Sequence, residues 1–214
     1  DEYGATWGGY GGPSVDLQDA FGENALSLTR NNVDTRRKAT MMMYGDMYDY
    51  FWVDKGGLDY TAFAVESMEY QSPVGANEVK HIVGNDNDHQ IGIGHAMARM
   101  ATSLSTHLLR LSDVYLIYAE AVLGNSASTS DAKALKAFND VRGRSVQGYE
   151  AKTSITWQDI WKERRLELAC EGDRWYDYVR WHYYEPAKAI AEIKAQRRNQ
   201  YIGLGQYYTT GLLD

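Results

Sequence analysis

From Leu108 onward the apolar residues fall into a helical rhythm. Leu111, Val114, Ile117, Tyr118, Ala121 and Val122 recur at spacings of 3 and 4, a broad stripe that predicts one face of an amphipathic helix. Gly124-Asn125 supplies its stop. Ser128 and Asp131 then have capping-box spacing, and the helix they predict carries Ala134, Leu135, Phe138 and Val141 on its inner side before Gly143. The two segments predict a helix hairpin. The clearest helix start is at 155 to 171. There Thr156 can cap, Asp159 can reach back and Ile155 can staple onto Ile160, with Trp157, Ile160, Trp161 and Leu168 facing inward. A further helix is expected from about Arg174 to Tyr184, with Trp175, Tyr178, Val179 and His182 on one side. Pro186 interrupts it, and a last amphipathic helix follows over 187 to 199.

The first half has a different texture. Residues 1 to 14, DEYGATWGGYGGPS, show no period of 2 or 3.6 and read as loop. Residues 34 to 53 place β-tolerant residues on both sides of Gly45-Asp46, which predicts two short strands around a turn. Val79 to Val83, closed by Gly84, is another short strand candidate. The expected organisation is one domain over 1–214, with a loop-rich aromatic and glycine segment at 1–33, short strands and loops at 34–84, and a helical part at 108–199. The fold class is mainly α, helix packed on helix, with long loops and a small β-hairpin.

Composition narrows the function classes. The net charge of -7 offers no sequence-wide basic surface for phosphates, although short basic clusters stand at Arg36-Arg37-Lys38, Arg164-Arg165 and Arg197-Arg198. Nucleic acid is therefore not an expected partner. No apolar run reaches the roughly 18 to 20 residues that cross a bilayer. The single cysteine, Cys170, follows Leu168 and Ala169 and reads as a small buried hydrophobe. The 17 Tyr and 6 Trp against 4 Phe favour rings that carry a polar handle, suited to surfaces half apolar and half wet.

LLRLSDVYLIYAEAV at 108 to 122, ALKAFNDVRGRS at 134 to 145 and ITWQDIWKERRLELACEGDRWYDYVRW at 155 to 181 resemble the SusD/RagB family of outer-membrane nutrient-binding lipoproteins. VDTRRKAT at 33 to 40 and VKHIVG at 79 to 84 resemble further segments of it, in the expected order. The resemblance implies a SusD-like fold in which the 108–145 hairpin is the last tetratricopeptide-like pair. It implies a non-enzymatic protein that captures glycan or another nutrient at the outer face of the outer membrane for a SusC-like TonB-dependent transporter. Family proteins are more than twice as long and carry an N-terminal lipidated cysteine. This chain is accordingly expected to be a C-terminal part of such a protein, with membrane attachment only through an anchor outside it.

Glu163, Glu167 and Glu171 recur at i+4, which puts neighbouring carboxylates about 6 Å apart on one helix face, within reach of glycosidase geometry. A general acid needs a raised pKa, however, and Arg164, Arg165 and Arg174 nearby would lower it, so a structural ion-pair network is expected. Asp113 and Glu120 stand about 10.5 Å apart along a helix and read as polar residues at the hairpin's edge. The five histidines form no i, i+4 pair, Asn85-Asp86-Asn87-Asp88 lacks the rest of a calcium loop, and no cofactor or metal is expected. The candidate ligand-binding residues are Tyr3, Trp7 and Tyr10, rings on a glycine-rich loop where the C–H face of a sugar can pack. The alternatives are a glycoside hydrolase using two of Glu163, Glu167, Glu171 and Asp113, and a tetratricopeptide-like protein-interaction module without a small ligand.

Overall fold

The computed structural model describes residues 12–24, 27, 29–60, 74–80, 82, 107–197, 200–201 and 211–212. It divides into two compact units, one of residues 1–31, 38–106 and 197–214, the other of 32–37 and 107–196.

The first unit contains α1, Val15–Ala20, just after the 1–14 segment expected to be loop and within the 1–33 segment expected to be loop-rich. The Ser14 hydroxyl caps it by accepting from Leu17 N at 3.3 Å. Gln18 is buried on it and donates from Nε2 to the Val74 carbonyl at 2.8 Å. The basic run expected at a strand start instead forms α2, Arg36–Thr40, whose first two residues belong to the second unit. β1, Met41–Met43, and β2, Met47–Tyr48, do flank Gly45-Asp46 as expected. They do not pair with each other. β2 pairs antiparallel with β3, Leu58–Asp59, and β1 with β4, Ala76–Glu78, in the register Met41↔Glu78 and Met43↔Ala76. β4 precedes the strand expected at Val79 to Val83, of which residues 81 and 83 lie outside the described residues, and Val79 N donates to the Thr40 carbonyl at 2.8 Å in continuation of the same register. The buried Asp46 carboxylate holds the turn by accepting from Met43 N at 2.8 Å. Met42, Tyr48, Phe51, Leu58, Tyr60 and Val79 form the unit's core. β5, Gln200–Tyr201, pairs with β6, Gly211–Leu212.

The second unit is helical. α3, Leu111–Leu123, and α4, Ala132–Gly143, pack together as the expected hairpin, and α5, Trp157–Glu167, closes over them. Leu116, Ala119, Leu123, Ala134, Phe138, Val141, Ile155 and Ile160 are their shared core. The face of α3 turned inward is not the expected one. Leu116 is fully buried while Ile117 is 46% exposed, and Leu111, Val114, Tyr118 and Val122 also face outward. α3 is apolar nearly all round, so periodicity does not choose between its faces.

Asp131, not Ser128, caps α4, accepting from Lys133 N at 3.0 Å and Ala134 N at 2.9 Å. Thr129 cannot lie inside the helix because it forms an antiparallel bridge with Ile155. The α5 start follows expectation: the Thr156 hydroxyl accepts from Asp159 N at 3.2 Å and the Asp159 carboxylate accepts from Thr156 N at 2.9 Å. Ile155 and Ile160, the expected staple, both lie in the shared core. α6, Asp173–Tyr184, and α7, Pro186–Ala195, follow, with Pro186 opening α7 in the first helical turn. Cys170 is half-buried, not fully so, and takes a left-handed φ of 62° in the turn between α5 and α6.

Candidate functional site

The carboxylates on the expected face of α5 meet arginines from three other segments. Val33 to Thr35 runs beside the end of α4, with Gln147 N donating to the Val33 carbonyl at 2.8 Å and Thr35 N to the Ser145 carbonyl at 2.9 Å. That placement carries Arg36 to α5. Its Nη1 donates to Glu163 Oε1 at 2.6 Å and to Glu167 Oε2 at 2.8 Å, while its other nitrogens grip Asp34. Arg142 Nη1 donates to Glu163 Oε2 at 2.7 Å, and Glu167 Oε1 accepts from both Arg110 and Arg144. Arg110 also clasps Glu171 through Nε at 2.7 Å and Nη2 at 2.9 Å.

A network was expected here, but with different cations. Arg164 turns away from Glu163 and Glu167. It lies buried between Asp113, 2.5 Å from Nη1, and Asp177, 2.9 Å from Nε. Asp113 is therefore a buried partner and not an edge residue; Glu120 is the edge residue, bonded by Arg180 at 3.0 Å and 3.2 Å. Arg174 lies 3.5 Å over the Trp161 ring and reaches Glu192, which also accepts from Trp161 Nε1 and the Tyr178 hydroxyl.

These contacts decide what the carboxylates can do. Burial alone would raise the Glu167 pKa, but hydrogen bonds from Arg110 and Arg36, the charge of Arg110 and the bond from Arg144 outweigh it and hold the group at about 2. A group ionised across the working range has no proton to give a leaving oxygen. Glu163 is two-fold paired to Arg36 and Arg142, and Glu171 and Asp113 each face an arginine, so all four carboxylates named for a hydrolase are held in ion pairs. Beside Arg110, a hollow bordered by His107, Leu109, Asp113, Glu171 and Asp173 encloses no volume the size of a water molecule. Among the described residues no His, Cys, Asp and Glu cluster could hold a metal ion, and no helix is long and apolar enough to cross a membrane.

The rings divide into an inner and an outer set. Trp157 stacks on Trp161 with centroids 5.0 Å apart, and Trp181 sits 4.9 Å from each of them. On α6 the inward residues are Asp177 and Tyr178. Trp175 and Val179, expected on the side of Tyr178, point outward with Tyr176, Tyr183 and Tyr184, and Trp175 is 63% exposed. His182 is exposed as well. In the first unit a second outward group sits on the Asp49–Gly57 turn, where Tyr50 is 50% exposed and Trp52 partly buried. Tyr3, Trp7 and Tyr10 lie outside the described residues, as do Asn85 to Asp88 and His81, His89 and His95.

The chain is similar to known proteins over nearly its whole length. A "SusD-like protein" of Bacteroides ovatus is 37% identical over 192 residues, covering 90% of this chain and 31% of the relative. Two crystal structures match it at 34% identity with a TM-score of 0.70 over 88% of this chain; it covers 32% of one and 33% of the other, and the second was determined with xylogluco-oligosaccharide. The chain thus spans about a third of the length of these relatives. The family model of the SusD family matches residues 2–211, nearly the whole chain, and the chain belongs to the SusD family.

Proposed function

We propose that this chain is the C-terminal part of a cell-surface protein that binds glycan without transforming it and delivers it to a SusC-like TonB-dependent transporter. The observation that carries the reading is the likeness, at 34% identity and a TM-score of 0.70, to a structure determined with xylogluco-oligosaccharide. The locked carboxylates agree with it, since the groups best spaced for glycoside hydrolysis are engaged by arginines. Tyr3, Trp7 and Tyr10 remain the proposed sugar contacts of the opening loop. The outer membrane is the proposed location.

Affinity electrophoresis through gels containing a panel of soluble polysaccharides, xyloglucan among them, tests the reading. Retardation by one glycan, weakened in Trp7→Ala and without release of reducing ends, is the expected result. No retardation by any glycan overturns it for this chain. Reducing ends released by the parent, and abolished by Glu163→Gln or Glu171→Gln, would instead establish a hydrolase.

A protein-interaction module is a second reading, favoured by the outward apolar stripe of α3. It predicts that a partner protein, and not glycan, slows hydrogen exchange over residues 108 to 145.

A further inference from the structure

The described methionines divide sharply by exposure. Met41, Met42 and Met43 of β1 are 0%, 4% and 0% exposed, and the Met43 sulfur also accepts from Arg30 Nη1 at 3.1 Å. Met47 is 45% exposed. The alternation of β2 explains the difference, since Tyr48 points into the first unit's core and its neighbour in the strand points the other way. A thioether open to solvent carries a chemistry denied to its three buried counterparts, because an oxidant can reach it.

Met47 also packs where the fold has least room. The turn after β2 takes left-handed backbone at Trp52, φ 51°, and at Gly57, φ 99°, and closes as the Trp52 carbonyl accepts from Lys55 N at 2.8 Å and Gly57 N at 3.0 Å. A Cβ at Gly57 would stand 2.8 Å from both the Met47 methyl and the Tyr48 carbonyl oxygen. The methyl therefore lies against the Gly57 backbone at the mouth of the turn, next to the Tyr48↔Leu58 pair where β2 meets β3. Oxidation would place a strongly polar acceptor oxygen on the sulfur that bears this methyl, beside a carbonyl that is itself an acceptor.

We propose that Met47 is a site of reversible oxidation and that its sulfoxide loosens the Asp49–Gly57 turn. The oxidant is a hydroperoxide, hydrogen peroxide in the simplest case. The Met47 sulfur attacks one peroxide oxygen, and the S–O bond forms as the O–O bond breaks. Two electrons pass from sulfur to peroxide, and the proton on the transferred oxygen moves to the departing hydroxide, which leaves as water. A dithiol-driven sulfoxide reductase returns the thioether. This oxidation is independent of whether the chain binds glycan.

The test is graded hydrogen peroxide on the intact chain, followed by trypsin and mass spectrometry. Cleavage after Lys38 and Lys55 leaves Met41, Met42, Met43 and Met47 in one peptide, so fragment ions compare the four directly. Met47 is expected to oxidise about tenfold faster than any of the other three. Amide hydrogen exchange over residues 47 to 59 should then quicken and should slow again after treatment with the reductase. In Met47→Leu, a swap that keeps the volume, peroxide should leave that exchange unchanged. Equal oxidation of the four overturns the proposal, as does unchanged exchange in a chain oxidised at Met47 or the same quickening in Met47→Leu. Where circular dichroism shows that the variant does not fold, the order of oxidation in the parent and its coincidence in dose with faster exchange decide instead.

Discussion

Arg36 donates to Glu163 at 2.6 Å although 127 positions separate the two in sequence. The same guanidinium group reaches Glu167 and Asp34, so one side chain ties three buried carboxylates together. A buried pair of this kind gives modest net stability, yet breaking it is costly, because the partner left behind is a charge without water.

Arg36→Met is therefore expected to destabilise the chain by about 3–5 kcal/mol. Lys136→Met, removing a solvent-screened surface pair with Asp140, should cost far less. Urea unfolding followed by circular dichroism measures both. Equal midpoints for the two variants would sink the account of the α5 network.

Glu167 predicts the acid limb of stability. Its folded pKa of about 2 lies below the ordinary 4.5, because the arginine contacts outweigh the effect of burial. A depressed carboxylate stabilises above its unfolded pKa and loses that contribution as pH falls through its folded pKa. The window is thus about pH 4.5 down to about 2, and the linkage amounts to about 3 kcal/mol. Glu167→Gln should lower stability at pH 7 and flatten its fall across that window, as read from urea midpoints at a series of pH values.

How much of this was legible in the sequence depends on whether the cause was local. The Thr156–Asp159 capping box lies within four residues and was readable as written. Glu163 and Glu167 were readable as one face of α5, but Glu171 lies past its end, beyond the left-handed Cys170, and the partners of all three were not readable. Arg164, four positions before Leu168 and adjacent to Glu163 in sequence, was the obvious cation, yet helix geometry turns it to Asp113 and Asp177, while Arg36 arrives from a distant segment. The inner faces of α3 and α6 were misread for a common reason. Each helix has large apolar residues on both sides, and the deciding facts are tertiary: Asp113 and Asp177 must face Arg164, which turns Leu116 inward on α3 and Trp175 outward on α6. The left-handed Trp52 had no sequence signal beyond the glycines that follow it.

The orientation of α3 can be checked with neighbouring residues. Leu116→Ala removes a fully buried side chain and should cost about 2–5 kcal/mol. Ile117→Ala, on the outward stripe, should cost about 1 kcal/mol or less in this chain. Reversal of that order in chemical denaturation would mean that the stripe read from periodicity is the inner face after all.

Trp52 offers a comparison that separates backbone from ring. Alanine and glycine both remove the indole and its partial packing on the core, so that loss is common to the two variants. They differ in how they tolerate φ 51°, ψ 47°, where a Cβ crowds the following carbonyl oxygen. Trp52→Gly should therefore be about 1 kcal/mol more stable than Trp52→Ala, the reverse of the order in a strand or helix, where glycine is the weaker residue. Thermal or urea unfolding of the pair decides it. Alanine equal to or above glycine would mean that residue 52 does not hold a left-handed conformation in solution.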